Sequence, residues 1–231
     1  MAIINIKSKE RKPAALLFFM FFSIVSATIT GASVRDAVFL TQFDKSYLPV
    51  MFITIAVVMA GVIALYKKLT AGQDQIFVIS ISGALFSVSL FLLQSNLSGL
   101  FIPVLYIWME VVTILSIFQF WILAGEVFNA RQAKRIFTLM GAGGSFAGMG
   151  AGYGIKPFVS TFGSENLLFL TIFFIGLSVV MAQMLRPFRM PHKHKKVNSK
   201  PVPKSKTEFE PYLKSIALLI GLAAFVSKII D

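Results

Sequence analysis

Residues 101–124 read FIPVLYIWMEVVTILSIFQFWILA and contain a single charged side chain, that of Glu110. A transmembrane helix needs about 20 predominantly apolar residues, so this stretch is long enough to cross a bilayer. Similar runs recur along the chain at residues 14–32, 48–66, 76–93, 136–155, 167–185 and 213–230. The sequence therefore predicts an all-α polytopic membrane protein with seven spans.

The composition excludes most soluble protein classes. Of the 231 residues 56% are hydrophobic and 14% are charged, whereas soluble domains carry about a quarter of their residues as charges. With no cysteine, disulfides and Cys-ligated metals are excluded. His192 and His194 have no carboxylate or Cys beside them, so they make a poor metal site. We therefore expect neither a metal nor a cofactor.

The net charge of +12 is better explained by topology than by nucleic-acid binding, which we do not expect. Lysine and arginine concentrate in the N-terminal tail and in the loops after the second, fourth and sixth runs. Such segments remain on the cytoplasmic side of membrane proteins. The N-terminus is therefore predicted to be cytoplasmic in a multi-pass protein of the cell (inner) membrane.

The chain is expected to divide into four segments. Residues 1–13 form a cytoplasmic tail, 14–185 a six-span domain, 186–211 a loosely held basic linker, and 212–231 a seventh helix. This layout matches the first half of a twelve-span transporter of major facilitator type. We accordingly expect a missing C-terminal half of the same protein, and a complete seven-span protein is the alternative.

Charged and polar side chains inside the runs suggest a site. A charge near the bilayer centre costs at least about 2.5 kcal/mol, so Glu110 is expected either to pair with a neighbouring helix or to serve a substrate or proton pathway. Helical spacing places Tyr106 on its face. Hydroxyls at residues 23, 26, 30 and 33 form a stripe toward Arg35 and Asp36, which we interpret mainly as contacts between helices. Arg35 can bind a phosphate or carboxylate through two parallel hydrogen bonds.

The glycine-rich segment at residues 141–154, GAGGSFAGMGAGYG, is not a nucleotide fingerprint. It lacks the G-x-G-x-x-G spacing, and no Walker lysine follows. Gly144, Gly148 and Gly152 instead recur every four residues. This spacing predicts a surface of small residues for close helix packing. The proline positions predict that no span is interrupted.

Residues 120–144, FWILAGEVFNARQAKRIFTLMGAGG, resemble a segment of the ATP/ADP translocase family of bacterial energy parasites and plastids, which has a major-facilitator-like fold. The resemblance is clearest from Ala133 to Arg135 and at Phe137, Leu139 and Gly141. It implies a nucleotide-exchange or related anion-transport domain, with a cytoplasmic basic turn after the fourth span. The candidate substrate-binding residues are Arg35, Asp36, Glu110, Glu126, Arg131, Lys134 and Arg135.

The function expected from these features is secondary transport by alternating access, through ATP/ADP exchange or related organic-anion transport. The partners are then the lipid bilayer and a small anionic solute. The alternatives are a major facilitator transporter of another small solute and a non-transporting membrane scaffold whose linker recruits a partner. An enzyme is not expected, because no nucleophile and base pair is evident and histidine is absent from every span.

Overall fold

The computed structural model describes residues 8–95 and 97–189, which form six α-helices and no strand. Two short 3₁₀ helices, Lys45–Tyr47 and Arg186–Phe188, precede the second α-helix and follow the sixth. The seventh predicted helix and most of the basic linker lie outside the described residues. The helices are α1 (Ser8–Gln42), α2 (Leu48–Thr70), α3 (Gln75–Gln94), α4 (Phe101–Val127), α5 (Ala130–Phe162) and α6 (Leu167–Met184).

Five of these helices are long and apolar enough to cross a membrane: α1, α2, α3, α4 and α6. The predicted fold class is therefore confirmed, and the chain is an all-α polytopic membrane protein. Helix α5 contains the fifth predicted span and is long enough, with 33 residues, but it falls short in hydropathy. Its many glycines contribute no side chain to transfer into lipid, and our prediction treated them as apolar.

The first three helices pack mainly against the last three. Helix α1 lies against α4, α5 and α6, whereas α3 lies against α4 and α6. Helix α2 packs on α4, and α5 packs mainly on α1. Because each set of three helices buries its apolar faces on the other set, neither set forms a core by itself.

Helix α1 begins earlier than the predicted span, and part of the predicted N-terminal tail is helical. The helix starts at Ser8. Glu10 is buried, and its Oε1 accepts a hydrogen bond of 2.8 Å from Nε2 of Gln132 in α5. The helix therefore begins before the predicted span, and the end of the predicted tail packs into the bundle.

Helix α1 also ends later than predicted, at Gln42 instead of residue 32. The segment from residue 37 to 42, AVFLTQ, contains neither glycine nor proline to stop the helix. Arg35 and Asp36 therefore lie inside α1, about two turns before its end.

A capping box sets the beginning of α5. The basic segment predicted as a turn after the fourth span therefore belongs to this helix. Asn129 accepts a hydrogen bond of 3.0 Å from the backbone N–H of Gln132, and the Gln132 side chain accepts one of 3.0 Å from the Asn129 N–H. This capping box starts the helix at Ala130. The segment predicted as a turn after the fourth span is therefore the beginning of α5.

Pro157 lies inside α5, five residues before its end at Phe162. The predicted fifth span ends at residue 155, so Pro157 lies outside that span although the helix continues past it. Pro13 is likewise inside α1, close to its N-terminal end. The carbonyl of Pro157 accepts hydrogen bonds of 2.9 Å from the hydroxyls of Ser160 and Thr161.

The hydroxyl stripe of α1 is used in helix packing. The hydroxyls of Ser23, Thr30 and Ser33 donate to carbonyls of α1 itself, at 2.7–2.8 Å. Thr30 Oγ1 also lies 2.9 Å from Oγ1 of Thr171 in α6, and both residues are buried. Thr30 therefore joins α1 to α6, as the interpretation favoured from the sequence expects, whereas the hydroxyl bonds of Ser23 and Ser33 stay within α1.

The small-residue surface of α5 is only partly occupied. A Cβ on Gly143 would lie 3.0 Å from the Phe18 carbonyl oxygen of α1, and one on Gly144 would lie 3.1 Å from the Phe21 ring. At Gly148 and Gly152 a Cβ would meet nothing within 4 Å. Close packing on α1 is therefore restricted to the first part of the predicted surface.

We predict that Gly83→Ala destabilises the α3–α6 contact. A Cβ on Gly83 would lie 2.4 Å from Cγ2 of Val179, a β-branched side chain with little rotamer freedom. Overpacking of this kind costs about 1–3 kcal/mol. The change should lower the thermal unfolding temperature of the purified protein in detergent.

The matched control is Gly61→Ala in α2, where a Cβ meets nothing within 4 Å. Both substitutions replace a glycine inside a helix and gain the same helix propensity, about 1 kcal/mol. The control should therefore be neutral or stabilising. Equal unfolding temperatures for the two variants would contradict the close contact at Gly83.

Candidate functional site

A charged cluster joins α1 to α4 around Arg35. The Nε of Arg35 donates to Oδ1 of Asp36 at 2.9 Å, and its Nη1 donates to Oε2 of Glu110 at 2.6 Å. The guanidinium carbon lies 4.4 Å from the centre of the Tyr106 ring, so a cation–π interaction adds to the two ion pairs. One permanent cation is thus held by two carboxylates and an aromatic face.

The helix positions of these residues bring them together. Tyr106 and Glu110 are four residues apart on α4 and share one face, as the sequence spacing predicts. The neighbours of Arg35 and Tyr106 are apolar: Val34 and Phe39 are buried, and the Phe39 ring lies 4.8 Å from that of Tyr106. The charges are therefore set in an apolar layer that strengthens their attraction.

The cluster is not sealed from its surroundings. The Arg35 side chain is 11% exposed, that of Glu110 is 27% exposed, and that of Asp36 is 49% exposed. The two carboxylates neutralise Arg35 while remaining accessible at one edge. A soluble anion that reached this edge would compete with them for the guanidinium donors.

A second charged cluster forms at the other end of α4. Arg189, which follows α6, donates from Nη1 to both carboxylate oxygens of Asp74, at 2.8 and 2.9 Å. Its Nε lies 2.8 Å from Oε2 of Glu126 near the end of α4. Arg189 therefore connects the segment after α6 with the α2–α3 loop and α4.

Asp74 also starts α3, because its Oδ1 accepts a hydrogen bond of 2.8 Å from the backbone N–H of Ile76. Burial alone would raise the pKa of Asp74, but hydrogen bonds from Arg189 and from the backbone outweigh it and lower the pKa below its ordinary value. The carboxylate is therefore charged at neutral pH. It caps the start of α3 and pairs with Arg189.

Two expectations from the sequence concern residues of this second cluster. The linker was predicted to be loosely held from residue 186, but Arg186–Phe188 forms a 3₁₀ helix and Arg189 is paired. Glu126 was a candidate for substrate binding together with Arg35. It lies sixteen residues after Glu110 on α4, about 24 Å along the helix, and it contacts Arg189 instead.

The structure brings together only some of the predicted site residues. Arg35, Asp36 and Glu110 form one cluster, and Glu126 belongs to the other. Arg131, Lys134 and Arg135 lie in the first two turns of α5, and their side chains fall outside the described part of the structure.

Sequence reasoning missed Asp74 and Arg189. The position of Asp74, directly before an apolar run, is an N-cap signal that could have identified it. Arg189 carries no such signal, because it is one of several basic residues in a polar segment. Within residues 8–95 and 97–189, no group of three or more His, Asp or Glu side chains could hold a metal ion.

Comparison with known protein families, with curated proteins and with solved structures finds no match for this chain.

We predict that Arg35 and Glu110 are energetically coupled. Arg35→Met leaves Glu110 without its partner in an apolar helix and should destabilise the protein by about 2–3 kcal/mol, below the value for a fully buried pair. In the double variant Arg35→Met/Glu110→Met, most of this loss should be recovered. Reversible unfolding of each variant in detergent measures the coupling, and strictly additive losses would contradict it.

The ion pair of Asp74 should make stability depend on pH. Because the folded pKa lies below the unfolded value of about 3.9, the contribution is complete above that value and is lost as the pH falls through the folded pKa. In Asp74→Asn, which retains the N-cap oxygen, this acid-dependent loss should disappear at a cost of about 0.2–1 kcal/mol at neutral pH.

The companion variant Asp74→Ala separates the two tasks of Asp74. It removes the N-cap as well as the charge and should therefore cost about 1 kcal/mol more than Asp74→Asn. Both measurements use thermal unfolding as a function of pH. If the loss of stability at acid pH is unchanged in Asp74→Asn, other carboxylates determine the pH dependence of stability.

Proposed function

We propose that this chain is the N-terminal half of a secondary transporter for a small anionic solute, with ATP and ADP as the first candidates. The observation that carries the proposal is the Arg35–Glu110 ion pair, at 2.6 Å between two membrane helices. Charged groups within membrane-spanning helices are costly, and in membrane proteins they commonly mark substrate or ion pathways.

The chemistry of the cluster suits exchange of an anion. Arg35 is paired with both Glu110 and Asp36. A phosphate group can accept two parallel hydrogen bonds from one guanidinium, whereas each of these carboxylates accepts one from Arg35. Binding would release Glu110 from Arg35, so that one cation alternates between an internal and a soluble partner.

The helix arrangement and the sequence support the same proposal. Two sets of three helices that pack on each other are the building unit of transporters with internal repeats. The resemblance of residues 120–144 to ATP/ADP translocases provides the substrate class. Under this proposal the N-terminus is cytoplasmic in the inner membrane, and a second half completes the site.

The test is exchange of labelled ATP and ADP by the full-length protein in liposomes. Arg35→Lys retains the charge but loses the fork of donors, so exchange should fall about tenfold to a hundredfold. Arg35→Ala should abolish it. Arg186→Lys is the matched control, because Arg186 is exposed outside both clusters, and it should exchange normally.

Glu110→Gln tests the competition itself. Removal of the internal anion should tighten nucleotide binding, measured as a lower dissociation constant, and slow the exchange turnover. Normal exchange in both Arg35→Ala and Glu110→Gln would exclude a role for the cluster in transport. If no nucleotide is exchanged while another anion is, the substrate changes but the transport role remains. A protein that carries no solute and tolerates both changes would be a scaffold.

A further inference from the structure

Two small cavities lie between the helices of the bundle. The first, of about 10 Å³, lies between α1, α4 and α6. The second has the same volume and lies between these three helices and α3. Ser116 and Ser178 line both cavities, so the two are neighbours. A cavity of this size is just large enough for one water molecule and excludes any larger solute.

The first cavity continues the α1–α4 interface beyond the Arg35 cluster. Thr28, which lines this cavity, lies two turns before Arg35 on α1, about 10 Å along the helix. Thr113 lines it from α4 and lies one turn after Glu110. Both spacings keep each threonine close to the helix face that carries the charge. The cavity is therefore the next polar level of the interface that Arg35 and Glu110 form.

Hydroxyl groups from three helices line the first cavity. They belong to Thr28 of α1, to Thr113 and Ser116 of α4, and to Ser178 of α6. The Ser178 hydroxyl donates to the Ile175 carbonyl at 2.7 Å, so its lone pairs can still accept a hydrogen bond. Each of the other hydroxyls can donate one hydrogen bond and accept others. A buried water makes about three hydrogen bonds, and this lining provides enough partners for them.

The second cavity is lined by a buried polar side chain whose hydrogen bonding is incomplete. Gln119 is only 3% exposed, and its Oε1 accepts a hydrogen bond of 3.0 Å from the hydroxyl of Ser82, which lines the same cavity. Its Nε2 is buried and forms no hydrogen bond in the part of the chain that the structure describes. An unsatisfied donor is costly in the apolar interior of a membrane protein. An acceptor in this cavity would reduce that cost.

We propose that each cavity binds one ordered water molecule, and that the two waters connect α1, α3, α4 and α6 by hydrogen bonds next to the Arg35 cluster. Among the described residues, no charged side chain lines either cavity, which favours a neutral ligand over an ion. A cavity with an apolar lining would remain dry, but these linings carry several hydroxyls. The two water sites do not depend on what the protein transports.

Buried methionines allow a direct test. Met109 lines the first cavity and Met20 lines the second. Both are 1% exposed, as is Met140, which lines neither cavity. Brief X-ray irradiation of the full chain in detergent converts bound water to hydroxyl radicals, which oxidise the nearest sulfur. Met109 and Met20 should therefore be oxidised several times faster than Met140, as measured by mass spectrometry of their peptides.

Two controls separate bound water from bulk solvent. Hydrogen peroxide added in the dark reaches a methionine only from solvent, so it should oxidise Met184, which is 52% exposed, and leave Met109 and Met20 intact. Ser116→Val removes the hydroxyl that both cavities share and fills the space with methyl groups. In this variant the radiolytic oxidation of Met109 and Met20 should fall to the rate of Met140.

Thr113→Val tests the first water through stability, because valine and threonine have nearly the same shape. With a water present the variant loses a hydrogen bond, and the unfolding equilibrium constant in detergent should rise about fivefold. In a dry cavity the change removes an unsatisfied hydroxyl and would be neutral or stabilising. Thr54→Val is the matched control and should change the constant less, since the Thr54 hydroxyl donates to the Val50 carbonyl of its own helix.

Four results would overturn the proposal. Equal radiolytic rates for Met109, Met20 and Met140 in the unmodified chain would mean that the cavities are dry. Unchanged oxidation in a Ser116→Val variant that unfolds at the normal temperature would mean that the radicals form elsewhere. Oxidation of Met109 or Met20 by peroxide would mean free exchange with solvent in place of an ordered water. Stabilisation by Thr113→Val would exclude water from the first cavity.

Discussion

Arg35 is a permanent cation inside an apolar helix, and the pairing of α1 with α4 depends on its neutralisation. An arginine cannot lose its proton to reduce the cost of burial, so partners must be present in the folded protein. Asp36 supplies one from the same helix, and Glu110 supplies the other from α4. A charged Glu110 would also cost free energy in the membrane. The attraction between Arg35 and Glu110 therefore offsets part of the cost of burying each of them.

Much of the fold could be predicted from the sequence because a bilayer permits few solutions. Backbone polar groups must be satisfied within each span, so long apolar runs are helices. The predicted runs 76–93 and 101–124 correspond closely to α3 and α4. The predicted spans are too short at α1 and α5, because they end next to charged residues in α1 and next to a proline in α5. Both helices continue because their hydrogen bonds and tertiary contacts remain satisfied beyond those residues.

The site could be predicted from the sequence only where the pattern lies within a single helix. Glu110 stands out as a lone charge, and Tyr106 follows from helical spacing. The pairing of Glu110 with Arg35 is a contact across 75 positions that no local pattern encodes. Glu126 is a candidate that lies in the segment resembling ATP/ADP translocases, and the sequence gives no sign of its partner. Its contact with Arg189 depends on how α6 ends beside α4.

The two charged clusters give α4 a mechanical role. Glu110 and Glu126 lie on the same helix, about 24 Å apart, and each is held by an arginine from another part of the chain. Arg189 fixes the end of α4 to the α2–α3 loop and to the segment after α6. A change at Arg35 therefore acts on α4 through Glu110, while the other end of α4 is held by the contact of Glu126 with Arg189. In the proposed transport cycle, this anchoring favours movement of the six helices as one body, with exchange of partners confined to the Arg35 cluster.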